Sequence, residues 1–183
     1  MNGTLHHPAG TLATDGRVVS LDPAAAGWTY CGLQVVELVP GQSSTVHLDG
    51  VEGAVLPLSA EQVDVTVGVE TFTVAGRSSV FDRVTDWVYA PRGSTVTLRA
   101  AAGGEVAVAT AVCERTLAPR HVPATDVVVE VRGAGPATRQ VTNFMSPEVF
   151  PWADKLMCVE LLTPDGNWSS YPPHKHDGKD GEP

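Results

Sequence analysis

The residues best suited to chemistry lie near the C-terminal end, where Gly166 to Asp177 read GNWSSYPPHKHD. His174 and His176 stand one residue apart. On a strand, side chains at i and i+2 share a face, so both imidazoles can aim at one point while Lys175 turns away. Two neutral ring nitrogens so placed can bind a single divalent cation. Pro172 and Pro173 precede them, removing two backbone donors and stiffening the approach, which lowers the entropy lost on binding. HxH by itself is a modest signal, with surface or core histidines as the plain alternative. A catalytic metal site also needs at least three protein ligands and an open position. Asp177, Asp180 and Glu182 follow, but they belong to the polar run DGKDGEP, so the ligand set is incomplete up to Pro183.

Other candidates are weaker. His47 and Asp49 could imitate a metal pair, although a structural role for that region is the simpler reading. His6, His7 and His121 have no partner at a ligand spacing. Gly76-Arg77-Ser78-Ser79 could form an anion-binding turn or merely join two strands. Trp28, Trp87, Trp152 and Trp168 read as core or interface residues. No GxGxxG, P-loop or nucleophile elbow occurs. Cys31, Cys113 and Cys158 are odd in number, widely spaced and without CxxC. They read as buried thiols in a reducing compartment.

The elements that must position these residues follow a period of two. Val63, Val65, Val67 and Val69 alternate with Asp64, Thr66, Gly68 and Glu70, the pattern of a half-buried strand. Val96, Leu98 and Ala100 alternate with Thr95, Thr97 and Arg99 in the same way. Apolar runs at 34–39, 105–112, 127–131 and 157–162 predict further strands, with another resuming at Arg139. Between them lie PGQSS, AGRSS, APRGS and AAGG, the chemistry of turns. Ser146-Pro147-Glu148 could start a helix, but Pro151 limits it to about a turn. The pattern predicts an all-β protein, an antiparallel sandwich or barrel of jelly-roll kind, with a closed or nearly closed barrel over about residues 1–115. The two-proline stretch Arg115 to Pro123 then reads as a link, and residues 116–183 hold only the first strands of a second unit. Its unpaired edges need cover, which predicts a homo-oligomer.

Composition bounds the function. Among 183 residues, 43% are hydrophobic, enough for a packed core, while 18 Gly and 14 Pro suit short strands and many turns. The formal charge of -9 argues against nucleic acid and anionic membranes as partners. A small anionic substrate remains compatible, because one local Arg or metal ion outweighs the global field. The N-terminus MNGTLHHPAG lacks the features of a signal peptide, and no apolar run could span a bilayer. A cytoplasmic protein is expected.

An internal echo adds detail. Val36 to Gly50, VELVPGQSSTVHLDG, parallels Val159 to Gly178, VELLTPDGNWSSYPPHKHDG, through Val-Glu-Leu, Pro, Gly, Ser-Ser, His and Asp-Gly. A duplicated barrel accounts for it, with His47-Leu48-Asp49 where the second copy has His174-Lys175-His176.

VELLTPDGNWSSYPPHKHD, together with RQVTNF from Arg139 and GRSSVFD from Gly76, resembles the 5-deoxyglucuronate isomerases of myo-inositol catabolism, relatives of the 5-keto-4-deoxyuronate isomerases. The resemblance implies two cupin barrels in tandem, here a bicupin with an incomplete second barrel. It implies a divalent metal ion, zinc or manganese, held by His, His, Glu and His. His174 and His176 match the first two ligands; the Glu and third His would lie beyond Pro183, and Glu182 comes too early. The implied reaction converts 5-deoxy-D-glucuronate to 5-dehydro-2-deoxy-D-gluconate. A Lewis acid would polarise the carbonyl, and a base would move a proton between adjacent carbons. The sugar-acid carboxylate suits a bidentate Arg, for which Arg139 is the candidate. The base is not identified. On this reading the chain by itself is an inactive fragment. A non-catalytic cupin-like binding or assembly module is the alternative, and HxH alone does not separate a metal dioxygenase.

Overall fold

The protein is described by a computed structural model over residues 6–14 and 16–174. The clearest alternation behaves as its chemistry requires. Val63, Val65 and Val67 are buried and form β5 (Gln62–Val67). Val69 departs from the pattern. It is fully exposed, because Gly68 and Val69 form the turn into β6 (Glu70–Ala75).

Three antiparallel sheets account for the thirteen strands among the described residues. One has six strands in the order β1 (Arg17–Leu21), β2 (Cys31–Leu38), β9 (Gly104–Val112), β4 (Val51–Pro57), β7 (Trp87–Ala90) and β10 (Arg120–Val122). The second runs β3 (Ser43–His47), β8 (Thr95–Arg99), β5, β6. The third joins β11 (Val128–Arg132), β12 (Arg139–Met145) and β13 (Cys158–Leu162). The α-helix among the described residues is a single turn, Pro23–Ala26, capped by the Asp22 carboxylate accepting from the Ala25 N–H at 2.7 Å. The fold is mostly β-strand, as the period-two runs predict. No helix among the described residues is long and apolar enough to cross a membrane.

The first two sheets pack face to face. Val36, Leu38, Val55, Val88, Val106 and Val108 of the six-stranded sheet meet Val46, Val63, Val65, Val74, Val96 and Leu98 of the four-stranded one. Among the described residues no strand pairing joins the two into a closed ring. The barrel expected over residues 1–115 is therefore seen as two facing sheets. Part of the expected link is also structured, since β10 lies within it and pairs with β7.

The six-stranded sheet is buried on its outer face as well. Ala54, Leu56, Trp87, Tyr89, Ala107 and Ala111 pack against Phe144, Met145, Phe150 and Leu156. Trp87 and Phe150 lie 4.9 Å apart between ring centroids, and Tyr89 and Phe150 lie 5.5 Å apart. The pairing of β12 with β13 shifts between Asn143 and Met145. Such a bulge lets the adjacent Phe144 and Met145 both be buried in this cluster.

A buried carboxylate pins the covering segment. Glu52 Oε1 accepts from the Asp154, Lys155 and Leu156 N–H groups at 3.1, 2.6 and 2.8 Å. Its Oε2 accepts from the Tyr89 hydroxyl at 2.6 Å and from the Asp154 N–H at 3.0 Å. Asp154 answers by accepting from the Glu114 and Arg115 N–H groups at 2.9 and 3.0 Å. With both oxygens occupied as acceptors, the Glu52 side chain can sit at 0% exposure.

Candidate functional site

The chain reaches His174 through β13, a turn at Pro164 to Asn167, and bends up to Pro173. The described residues after β13 form turns and bends rather than a strand. The strand expected to set both imidazoles on one side is thus not present as far as His174. His174 is exposed, and its Nδ1–H donates to the Pro172 carbonyl at 2.9 Å. That bond selects the tautomer with its lone pair on Nε2, the form in which imidazole binds a metal. His176 lies outside the described residues. Among the described residues no group of three or more His, Cys, Asp or Glu could hold a metal ion. His174 has a ring nitrogen of the kind that can ligate a metal, and no second or third ligand stands beside it among the described residues.

Arg139 opens β12, opposite Arg132 of β11. Its guanidinium is held by the preceding turn, with Nη1 donating to the Ala137 carbonyl at 3.3 Å. Gly133 makes room for this turn: its φ is +85°, and a Cβ there would lie 2.0 Å from the Ala137 oxygen. Arg139 Nε is buried with no hydrogen-bond partner among the described residues. The same turn receives the histidine-bearing segment. Asn167 Nδ2 donates to the Thr138 carbonyl at 2.8 Å, and the Trp168 N–H donates to the Pro136 carbonyl at 2.7 Å. Trp168 and Tyr171 then meet edge to face, 6.2 Å apart. The strand start that carries Arg139 and the segment that carries His174 are tied to one turn.

Two carboxylates that matter here, Glu160 and Glu52, were not singled out in the sequence, while Arg77 was noted only as part of a turn. Arg77, 1% exposed, donates to both oxygens of Glu160 on β13 and to the carbonyls of Pro57 and Arg83. The GRSS turn does hold an anion, but the anion is the chain's own Glu160. Gly76 allows this approach, because a Cβ there would lie 1.9 Å from the Ala60 carbonyl oxygen. The other carboxylate is Glu52. A lone acid inside the apolar run Val51 to Leu58 was the available signal for it. The first copy of the echo lacks inward-facing ligands. Val46 and Leu48 fill the core at 0% exposure, so His47 and Asp49 are exposed.

Cys113 and Cys158 are poor ligands and poor nucleophiles in this setting. Burial, and secondarily the Glu52 carboxylate, pushes the Cys113 thiol up to about 11. Burial, with a contribution from Glu160, pushes Cys158 up to about 12. The cysteines carry no disulfide.

Comparison with known proteins places this arrangement. The chain is 39% identical over 172 residues to a 5-deoxy-glucuronate isomerase of Geobacillus kaustophilus, covering 93% of this chain and 61% of the relative. It is 37% identical over 164 residues to that of Geobacillus thermodenitrificans, covering 89% of this chain and 59% of the relative. An IolB-like protein of Salmonella typhimurium LT2 superposes with a TM-score of 0.81 at 32% identity, covering 93% of this chain and 65% of that one. The chain thus spans about three fifths of the length of these curated relatives. Residues 5–182 match the KduI/IolB family, and the chain belongs to it.

Proposed function

We propose that these residues belong to a metal-dependent sugar-acid isomerase acting on 5-deoxy-D-glucuronate to give 5-dehydro-2-deoxy-D-gluconate. The observation that carries this reading is the family match together with the isomerases at 39% and 37% identity. On this reading residues 1–115 form a structural cupin-like unit, and residues 116–183 begin the metal-binding cupin of a bicupin.

His174 and His176 would hold the cation, with the remaining ligands supplied by residues outside this sequence. When bound, the cation supplies Lewis-acid polarisation of a substrate carbonyl. His174 contributes its Nε2, its ring oriented by the Pro172 carbonyl. Arg139 would take the substrate carboxylate through its guanidinium, which the Ala137 carbonyl holds at the start of β12. Among the described residues β11 and β13 are the edge strands of the three-stranded sheet, which favours association with a second copy of the chain. Cysteines that carry no disulfide suit a reducing cytoplasm.

Two preparations test the proposal: this 183-residue chain, and the same chain joined to the C-terminal two fifths of the Geobacillus kaustophilus relative. After dialysis against zinc or manganese, the joined protein should hold about one ion per protomer and isomerise the sugar acid. His174→Ala and His176→Ala should each abolish loading, whereas Arg139→Gln should spare loading and raise KM. The 183-residue chain should show neither tight loading nor turnover. A joined protein that loads metal yet leaves 5-deoxy-D-glucuronate unchanged would overturn the substrate assignment. Light scattering tests association, for which a strictly monomeric mass is the contrary result.

A further inference from the structure

A cleft that includes neither His174 nor Arg139 is lined by parts of β1, β2, β3, β4 and β9. It has a volume of about 370 Å³, within the usual size range of small-ligand pockets. It opens where the inward row of β9 changes character. Val106 and Val108 are buried in the core between the sheets, and Thr110 follows on the same face at 7% exposure. Gln34 does the same on β2, following the inward Val36 and Leu38 toward the cleft. His47 and Asp49, the motif that the proposed chemistry leaves unused, line the opposite wall.

Six polar side chains line this cleft, of which Gln34, Asp22 and His47 are already bonded to Arg17, the Ala25 N–H and the Thr95 hydroxyl. Thr110, Ser20 and Asp49 have no side-chain hydrogen bond among the described residues. Gln34 accepts from Arg17 Nε at 2.6 Å through its carbonyl oxygen, which leaves its NH2 toward the cleft. Asp22 uses Oδ1 on the helix cap and keeps its other oxygen. Leu21 and Val51 add an apolar wall. The Thr110 hydroxyl lines the cleft and can both donate to and accept from a ligand hydroxyl.

We propose that this cleft binds a neutral polyhydroxylated ligand the size of one sugar ring. Hydroxyls donate and accept together, as a set of two carboxylates, two hydroxyls, an amide and an imidazole requires. The apolar wall suits a C–H face. Two carboxylates in the lining of a protein of charge -9 disfavour a sugar acid, so this ligand class differs from the anionic substrate above. The inference does not rest on the isomerase reading.

Titration of the 183-residue protein with D-glucose, sorbitol and D-glucuronate, followed by NMR shifts, tests it. Glucose or sorbitol should saturate with Kd at or below about 10 mM, and D-glucuronate should bind about tenfold more weakly or worse. Thr110→Val and Asp49→Ala should each weaken binding about tenfold while keeping the parent's melting temperature within a few degrees. Three results overturn the proposal: no saturation by either neutral compound, glucuronate binding as tightly as glucose, or variants that bind like the parent.

Discussion

Arg77 grips Glu160 across 83 residues of sequence, Nη1 to Oε1 at 3.0 Å and Nη2 to Oε2 at 2.5 Å. Arg77 leaves the four-stranded sheet just after β6, while Glu160 sits on β13 of the third sheet. The guanidinium also donates to the Pro57 and Arg83 carbonyls, so its fork joins the end of β4 and the segment before β7 to the strand that leads toward His174. Removing one partner of a buried pair leaves an uncompensated charge. Arg77→Met or Glu160→Leu should each cost about 3–5 kcal/mol in chemical denaturation. The double variant should cost less than the sum of the two. Additive costs would mean that the two side chains do not act as a pair.

Glu52 makes a second prediction. Glu52→Gln keeps the size but turns an NH2 group toward backbone donors that cannot accept from it. The loss should be on the order of 3 kcal/mol, since buried N–H groups at Asp154, Lys155 and Leu156 lose an anionic acceptor. Tyr89→Phe should cost only about 1 kcal/mol, because Glu52 keeps its backbone partners. Equal losses for the two variants would contradict the assignment of Glu52 as the centre of the clasp.

The raised thiols give a pH signature on the alkaline side. Cys113 and Cys158 sit at about 11 and 12, against 9.0 for a free thiol. The unfolded chain therefore loses these protons first as pH rises. The stability contributed is fully present below about 9 and is lost as pH climbs through the folded values. At pH 8 in native protein both thiols should resist iodoacetamide, and in denaturant both should react, as read by mass spectrometry. Rapid native labelling of either would contradict the burial.

Asp154 works on the acid side. The Arg115 and Glu114 N–H groups hold its carboxylate below the usual range of 3.8. A depressed value contributes stability above the unfolded pKa, lost as pH falls through the folded one. Asp154→Asn should therefore flatten the acid limb of a melting-temperature profile while leaving the alkaline limb as in the parent. An unchanged acid limb would remove Asp154 from the clasp.

The strands that alternate cleanly were legible because one face meets core and the other water. β5 and β8 are of that kind, and β2, β9, β11, β12 and β13 also fall within two or three residues of the runs that predict them. β4 and β7 were not marked as strands. Every residue of β7, and all of β4 after Val51, is buried, so neither shows the half-buried alternation that betrays a strand. Their second cover comes from Phe144 to Leu156, and nothing within a local window announces it. In the candidate site, HxH and its approach could be read as residue types. The turn that binds Asn167 and Trp168 beside Arg139 could not, because its bonds go to backbone carbonyls, which every sequence has.

Sequence by itself determined the strand-rich character, the acidic surface, the family-like motifs and the identity of the residues able to ligate or pair with a carboxylate. Those follow from composition and from short periods, which depend on neighbours within a few positions. Only the tertiary structure decided that Glu52 and Arg77 are buried centres rather than surface charges. It also decided that His47 and Asp49 border a cleft while Val46 and Leu48 fill the core. A charge is tolerated at 0–1% exposure only when its partners arrive from elsewhere in the chain, here 83 and 102 to 104 residues away. Contacts at that separation are chosen by the packing of sheets, and no local pattern encodes them.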